Sequence, residues 1–162
     1  MKMQDATPGP ATILVIDDDP LANRALARVL KGSGHRILTA NSGEEGLDID
    51  ERERPDLVIT DIEMPGLNGM QVLSTLKQRR PEVEVIIVTG FGSLRSAVEA
   101  LRNGAADYVT KPFQPSYVSH RVQQVLRHAQ TARELRRLRG MVTDGTGAAP
   151  HEPLLTPRTA KL

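Results

Sequence analysis

The sequence predicts an α/β protein built on an open parallel sheet with helices on both faces. Three observations carry that expectation. Short, β-branched apolar runs alternate five times with stretches of helical periodicity. The runs are apolar throughout, the pattern of strands covered on both sides. Gly, Pro, Asn and Asp mark each change of period.

Ile13, Leu14, Val15 and Ile16 form the first strand, followed at once by Asp17, Asp18 and Asp19. Pro20 suits the first turn of a helix, where a missing N–H costs least. Leu21, Ala25, Leu26, Val29 and Leu30 give that helix an apolar face, and Gly32 and Gly34 stop it. Residues 36–40 make a second, shorter strand. Asn41 or Ser42 caps a helix carrying Leu47 and Ile49, which Pro55 ends. Residues 56–60 form a third strand ending at Asp61, and residues 65–69 form a loop in which Gly66 and Gly69 serve turn geometry. Met70, Val72, Leu73 and Leu76 line the third helix. Residues 83–89 are the most strongly apolar strand and end in Thr89 and Gly90. Ala97, Val98, Ala100 and Leu101 belong to a fourth helix closed by Asn103 and Gly104. Residues 108–110 make a short fifth strand before Lys111, Pro112 and Phe113, and a last helix begins near Pro115 or Ser116.

This last helix continues its stripe of Val118, Val122, Val125, Ala129, Leu135 and Leu138 beyond what the domain can cover. It holds six Arg and one acid between Ser116 and Gly140. It reads first as a solvated helix face and second as a coiled-coil-like connector or dimerisation stalk. Nucleic-acid contact ranks last, since no second helix follows to complete a helix-turn-helix. The organisation is therefore a flexible N-terminus over residues 1–10, a domain over 11–128, a helical extension over 129–140 and a disordered tail over 141–162.

Composition narrows the function. The 162 residues suffice for one ordinary domain, and 21 Lys and Arg nearly balance 20 Asp and Glu, which disfavours a uniformly basic nucleic-acid binder. Disulfide scaffolds, zinc ribbons and thiol nucleophiles are excluded because the chain has no cysteine. Phe91, Tyr108, Phe113 and Tyr117 are too few for a base-stacking platform. The four histidines, His35, His120, His128 and His151, show no ligand spacing and read as surface residues. No run approaches the roughly 20 apolar residues of a membrane span. No secretory signal precedes the first strand, so cytoplasmic residence and no membrane partner are expected.

Ligands of such sheets bind at the carboxyl ends of the strands. Those ends collect Asp17, Asp18, Asp61, Thr89 and Lys111. Two carboxylates 4 Å apart repel by about 4 kcal/mol at an effective dielectric near 20, so the cluster calls for a cation. All-oxygen ligands with open positions suit hydrated Mg²⁺, and Lys111 adds a second positive charge. The set suits a phosphoryl group: an ionised Asp is a nucleophile needing no base. Lys111 and the Thr89 hydroxyl offer contacts to phosphoryl oxygens, and Gly90 leaves the approach beside Thr89 open.

The segments ILVIDDDP, DLVITDIEMPGLNG, VIIVTG and DYVTKPF, in this order and spacing, resemble the receiver domain of two-component response regulators over about residues 11–128. The resemblance implies a flavodoxin-like, doubly wound five-stranded parallel sheet of order 2-1-3-4-5, an order that general accounts of doubly wound folds already give for this family. It implies Asp61 as the residue phosphorylated by a sensor histidine kinase or phosphotransfer protein. Asp18 would ligate Mg²⁺ directly, Asp17 chiefly through water, with Asp61 and the backbone carbonyl of Glu63 completing the protein's share. Lys111, preceding a commonly cis bond to Pro112, would contact the phosphoryl group together with Thr89 and Gly90. Thr89 and Tyr108 would form a switch pair that reshapes the fourth-helix, fifth-strand and fifth-helix face for a downstream protein target. A homodimer through that face or through the C-terminal helix is a further expectation. The protein would then be a signalling phosphoacceptor, not an enzyme, catalysing at most its own phosphorylation and dephosphorylation.

An alternative is an aspartyl-phosphate-forming phosphatase of haloacid-dehalogenase type, with Asp17 as nucleophile and Asp19 two residues on. Against it, no acidic pair lies on a strand beyond Lys111, and the length leaves no room for a cap insertion. A degenerate receiver acting as an unphosphorylated scaffold ranks lower, because the acids and Lys111 are intact. Taken alone, Asp17–Asp19 could merely cap the following helix, and Asp19 is the residue best placed for that purely local role.

Overall fold

In the computed structural model, residues 9–90 and 92–146 are described. The chain divides into two units, Met1–Arg127 and His128–Leu162. The first holds β1 (Thr12–Ile16), α1 (Pro20–Gly32), β2 (Arg36–Ala40), α2 (Gly43–Glu53), β3 (Leu57–Thr60), α3 (Gly69–Arg79), β4 (Glu84–Thr89), α4 (Leu94–Arg102) and β5 (Asp107–Thr110). The last helix, α5, spans Pro115–Thr146, and the boundary between the units falls within it.

The five strands form one parallel sheet of order β2-β1-β3-β4-β5. Successive residues of a strand face opposite sides, and the two cores follow that parity. Leu14 and Ile16 of β1, Val58 of β3, and Val85 and Ile87 of β4 pack with Leu47 of α2, Val72, Leu73 and Leu76 of α3 and Ala100 of α4. Their neighbours Ile13, Val15, Leu57, Ile59, Ile86 and Val88 pack with Leu26 and Leu30 of α1 and Val118, Val122 and Leu126 of α5. Strands covered on both faces account for the uninterrupted apolar runs.

Local chemistry starts α1 and α2 where the sequence expects. Asp19 caps α1 by accepting from the Leu21 N–H, with Pro20 at the first helical position. Ser42, of the two candidates, caps α2 by accepting from Glu45. α3 begins earlier than the expected loop of residues 65–69 allows: Asn68 caps it in a reciprocal capping box with Gln71, and Gly69 is already helical.

Two further expectations are corrected. α5 does not end at Gly140 but continues to Thr146, so residues 141–146 are helical. One interior Gly costs about 1 kcal/mol relative to Ala, too little to stop a helix already propagating. Residues 147–162, the rest of the expected tail, and residues 1–8 lie outside the described residues. His35 is not a surface residue: it is buried, and its Nδ1 accepts a hydrogen bond from the Ala11 N–H at 3.1 Å. His120 and His128 are exposed as expected, and His151 lies outside the described residues.

Candidate functional site

The sheet register brings the expected residues together. Ile16 pairs with Thr60, and the ladder runs one residue further, with the Asp61 N–H donating to Ile16 O at 3.1 Å. Asp17 and Asp61 therefore leave adjacent strands side by side. On the far side Thr89 pairs with Thr110, and the Lys111 N–H donates to Thr89 O at 2.8 Å. Thr89 is fully buried at the end of β4.

Lys111 reaches back across the strand ends. Its Nζ lies 2.9 Å from Asp17 Oδ2 and 3.2 Å from Asp61 Oδ2. Partial burial works against the ammonium, but the hydrogen bond and charge of Asp17, and then those of Asp61, outweigh it. The Lys111 pKa consequently stands above the usual lysine value. The Lys111–Pro112 peptide bond is cis.

Asp17 is buried, and both its oxygens are engaged: Oδ2 by Lys111 and Oδ1 by the Asp19 N–H at 3.0 Å. The Asp18 carboxylate is exposed and forms no hydrogen bond among the described residues. Asp61 is half-buried, and its Oδ1 accepts from the Glu63 N–H at 3.3 Å. One carboxylate oxygen from each of Asp17, Asp18 and Asp61 falls within 4.8 Å of the others. Oxygens on opposite sides of an octahedral Mg²⁺ sit about 4.2 Å apart, twice a bond of roughly 2.1 Å, so the donor set fits that ion with small adjustments. Asp18 offers open ligand oxygens, whereas those of Asp17 are already committed.

The space beside Gly90 is open: among the described residues a Cβ there would meet only Lys111 Cβ, at 3.9 Å, an ordinary contact. Tyr108 is half-buried on the α2–α3–α4 side of the sheet, with its hydroxyl 2.8 Å from Ser96 Oγ on α4. Ser96 also belongs to the capping box of α4 with Ser93. Gly92 leaves room for this arrangement: a Cβ there would lie 3.3 Å from the Tyr108 hydroxyl and 2.6 Å from Thr110 Cγ2.

Some residues around the site carry no signal in the sequence. Gly66 is at φ +76°, the turn role expected of it, but Gly69 has another function. A Cβ on Gly69 would stand 2.1 Å from the carbonyl oxygen of Asp61, so the glycine lets α3 start against the backbone of that aspartate. Asn23, on which the sequence gives no reading, is buried beneath the β1–α1 turn.

The response regulator receiver domain family matches residues 13–123. Among curated proteins, the chain is 37% identical over 140 residues to the DNA-binding transcriptional regulator NtrC of Escherichia coli, covering 85% of this chain and 30% of that protein. It is 39% identical over 119 residues to the response regulator protein FleR of Pseudomonas aeruginosa, covering 74% of this chain and 24% of the relative. The chain thus spans about a third or less of the length of these relatives. Among solved structures, the CheY-like receiver domain protein of Methanospirillum hungatei superposes with a TM-score of 0.74 at 29% identity, over 76% of this chain and 99% of the other. NtrX of Brucella abortus gives a TM-score of 0.76 at 32% identity, over 80% of this chain and 30% of the other. With the fold, the strand-end acids and the lysine in place, the chain belongs to the response regulator receiver domain family, a family of signalling proteins.

Proposed function

We propose that Asp61 accepts a phosphoryl group from a phosphohistidine of a sensor histidine kinase or phosphotransfer protein, and that the resulting change of shape is read by another protein. The observation that carries this reading is Lys111 Nζ bridging Asp17 and Asp61 at 2.9 and 3.2 Å beside the exposed Asp18. An oxygen of Asp61 attacks phosphorus; the O–P bond forms as the P–N bond breaks, and its electron pair stays on the imidazole. Lys111 exchanges its contact with Asp61 for a phosphoryl oxygen, and the Thr89 hydroxyl takes another beside the open Gly90. Asp18, Asp61 and the Glu63 carbonyl, with Asp17 acting through water, would hold Mg²⁺, which would supply charge neutralisation for the phosphoryl oxygens. The committed oxygens of Asp17 support its role through water, and they also count against Asp17 as the nucleophile of a phosphatase.

A protein donor is supported by the surface next to Lys111. An apolar groove of about 360 Å³ lies there, lined by Ala22, Ala25, Val29, Pro112 and Phe113. Read-out is assigned to Thr89 and Tyr108, with the Tyr108–Ser96 contact as the link to α4. Among the described residues no helix is long and apolar enough to cross a membrane. The α4–β5–α5 face, or the exposed Leu135 and Leu138 of α5, is the proposed homodimer contact.

Asp61→Asn tests the assignment. With Mg²⁺ and a small phosphodonor, the wild-type protein takes up one acid-labile phosphate and the variant takes up none. Continued labelling of the variant would remove Asp61 from the mechanism.

A further inference from the structure

We infer that Asn23 is a positioning residue for the metal-binding acids, a claim that rests on the proposed Mg²⁺ and phosphoacceptor site. Asn23 lies in the first turn of α1, six residues beyond Asp17, and is only 3% exposed. Its Nδ2 lies 2.9 Å from Asp17 O and 2.8 Å from Ala40 O, with Asn41 Oδ1 at 3.2 Å. Asp17 O lies one residue past the end of β1, where the ladder stops, and Ala40 O, at the end of β2, accepts from the Asp17 N–H and has a second lone pair for Asn23. One amide therefore ties the β1–α1 turn to the end of β2.

The Asp17 carbonyl belongs to the peptide plane that joins Asp17 to Asp18. Because that plane is rigid, fixing its oxygen fixes the direction in which the Asp18 Cα leaves it, and so the spacing of both acids. The Asp17 N–H, 3.2 Å from Ala40 O, holds the other side of the residue to the same point. Asn23 Oδ1, meanwhile, is buried and has no hydrogen-bond partner among the described residues. An apolar side chain would avoid that buried acceptor. What the asparagine uniquely provides is the pair of donors aimed at the two carbonyls.

Mg²⁺ demands near-ideal octahedral geometry, whereas Ca²⁺ accepts longer and more varied bonds. Loss of a group that orients metal ligands typically lowers affinity by about 10- to 100-fold. Asn23→Leu, which keeps the bulk and removes the donors, is expected to weaken Mg²⁺ binding in that range and Ca²⁺ binding by less. The measurement is titration of the isolated protein with MgCl2 or CaCl2, followed by the amide NMR shifts of the strand-end residues. Val83→Ala, a core truncation just before β4 at the opposite end of the strands, controls for general loss of stability and should leave both affinities unchanged. If Asn23→Leu does not fold, Asn23→Ser, which keeps one donor, should show a smaller loss in the same direction. Wild-type Mg²⁺ affinity in a folded Asn23→Leu protein, or equal losses for the two ions, overturns the inference while leaving the site itself standing. Absence of Mg²⁺ binding in the wild-type protein overturns the site.

Discussion

Replacement of Gly69 by alanine sets helix propensity against packing beside the phosphoacceptor. Gly69 is the first residue of α3 and does not have a positive φ, so alanine fits its backbone conformation. Propensity favours the change by at most about 1 kcal/mol, the difference seen in a helix interior. The added Cβ, however, would stand 2.1 Å from the Asp61 carbonyl oxygen and 2.8 Å from both the Asp61 carbonyl carbon and Ile62 Cα. Relieving the first contact to an ordinary separation of about 3.5 Å requires a movement of more than ~1 Å. The obstructing atoms are backbone, so no side chain can rotate away. Overpacking costs about 1–3 kcal/mol, and with backbone on both sides the upper end applies, leaving a net loss of about 2 kcal/mol after the propensity gain. For a unit of this size that is a fall in melting temperature of roughly 6–10 °C. The segment displaced is the one carrying the proposed nucleophile, and a misplacement of about 1 Å can cost on the order of 100-fold in rate. Thermal unfolding and the rate of acid-labile phosphate uptake from a small phosphodonor read the two effects separately. Gly32→Ala, where a Cβ meets nothing within 4 Å, is the control and should do neither. A Gly69→Ala protein as stable and as reactive as wild type would refute the reasoning, and a destabilised one with unchanged uptake would refute its functional half.

The remaining predictions concern the end of the sheet away from the site. Arg80 and Asp50 form a buried ion pair at 2.6 Å, and the same guanidinium donates to Pro55 O. Arg80→Met should cost about 3–5 kcal/mol in denaturant unfolding by leaving Asp50 charged and unpaired, and Asp50→Leu added to it should recover part of the loss; no recovery would refute the pairing. Burial lowers the His35 pKa, and its Nδ1 must be unprotonated to accept from Ala11. The folded pKa lies below the unfolded value, so stability is full above about pH 6.5 and declines as pH falls towards the folded value, where the unfolded state binds the extra proton. His35→Gln should flatten that part of the stability profile measured by thermal unfolding; an unchanged slope would assign it to the carboxylates.

The sequence made the architecture legible because buried parallel strands cannot alternate: the runs around Leu14, Val58 and Ile86 stand out against every helix. Asp61 and Lys111 were legible for the same reason, since each directly follows such a run and the parallel register aligns the run ends. What escaped depends on partners remote in the chain. Asp50 sits in the run Asp48 to Glu53 and reads as a solvated helix charge until Arg80, 30 residues on, closes over it. Gly69 looks like a turn glycine because it follows Gly66 by three residues, yet only Gly66 has a positive φ. Asn23 differs from any polar helix residue only in facing the two strand-end carbonyls. His35 shows no ligand spacing because its partner is a backbone N–H, which no side-chain pattern encodes.

The charges of the site also constrain how the proposed reaction and the cation must be linked. Three carboxylates face one ammonium, so Lys111 leaves an excess of two negative charges, and it bridges Asp17 and Asp61 without reaching Asp18. The uncompensated charge is therefore concentrated at the exposed acid, where a divalent ion can approach from solvent. Phosphorylation of Asp61 replaces a single negative charge by one approaching two, while drawing Lys111 towards the phosphoryl oxygens. The excess grows, and the ammonium is shared more thinly. Cation binding must then tighten on phosphorylation, and by linkage the cation must favour the phosphorylated state by the same factor. That reciprocity follows from the charges themselves and does not depend on which surface reads the signal.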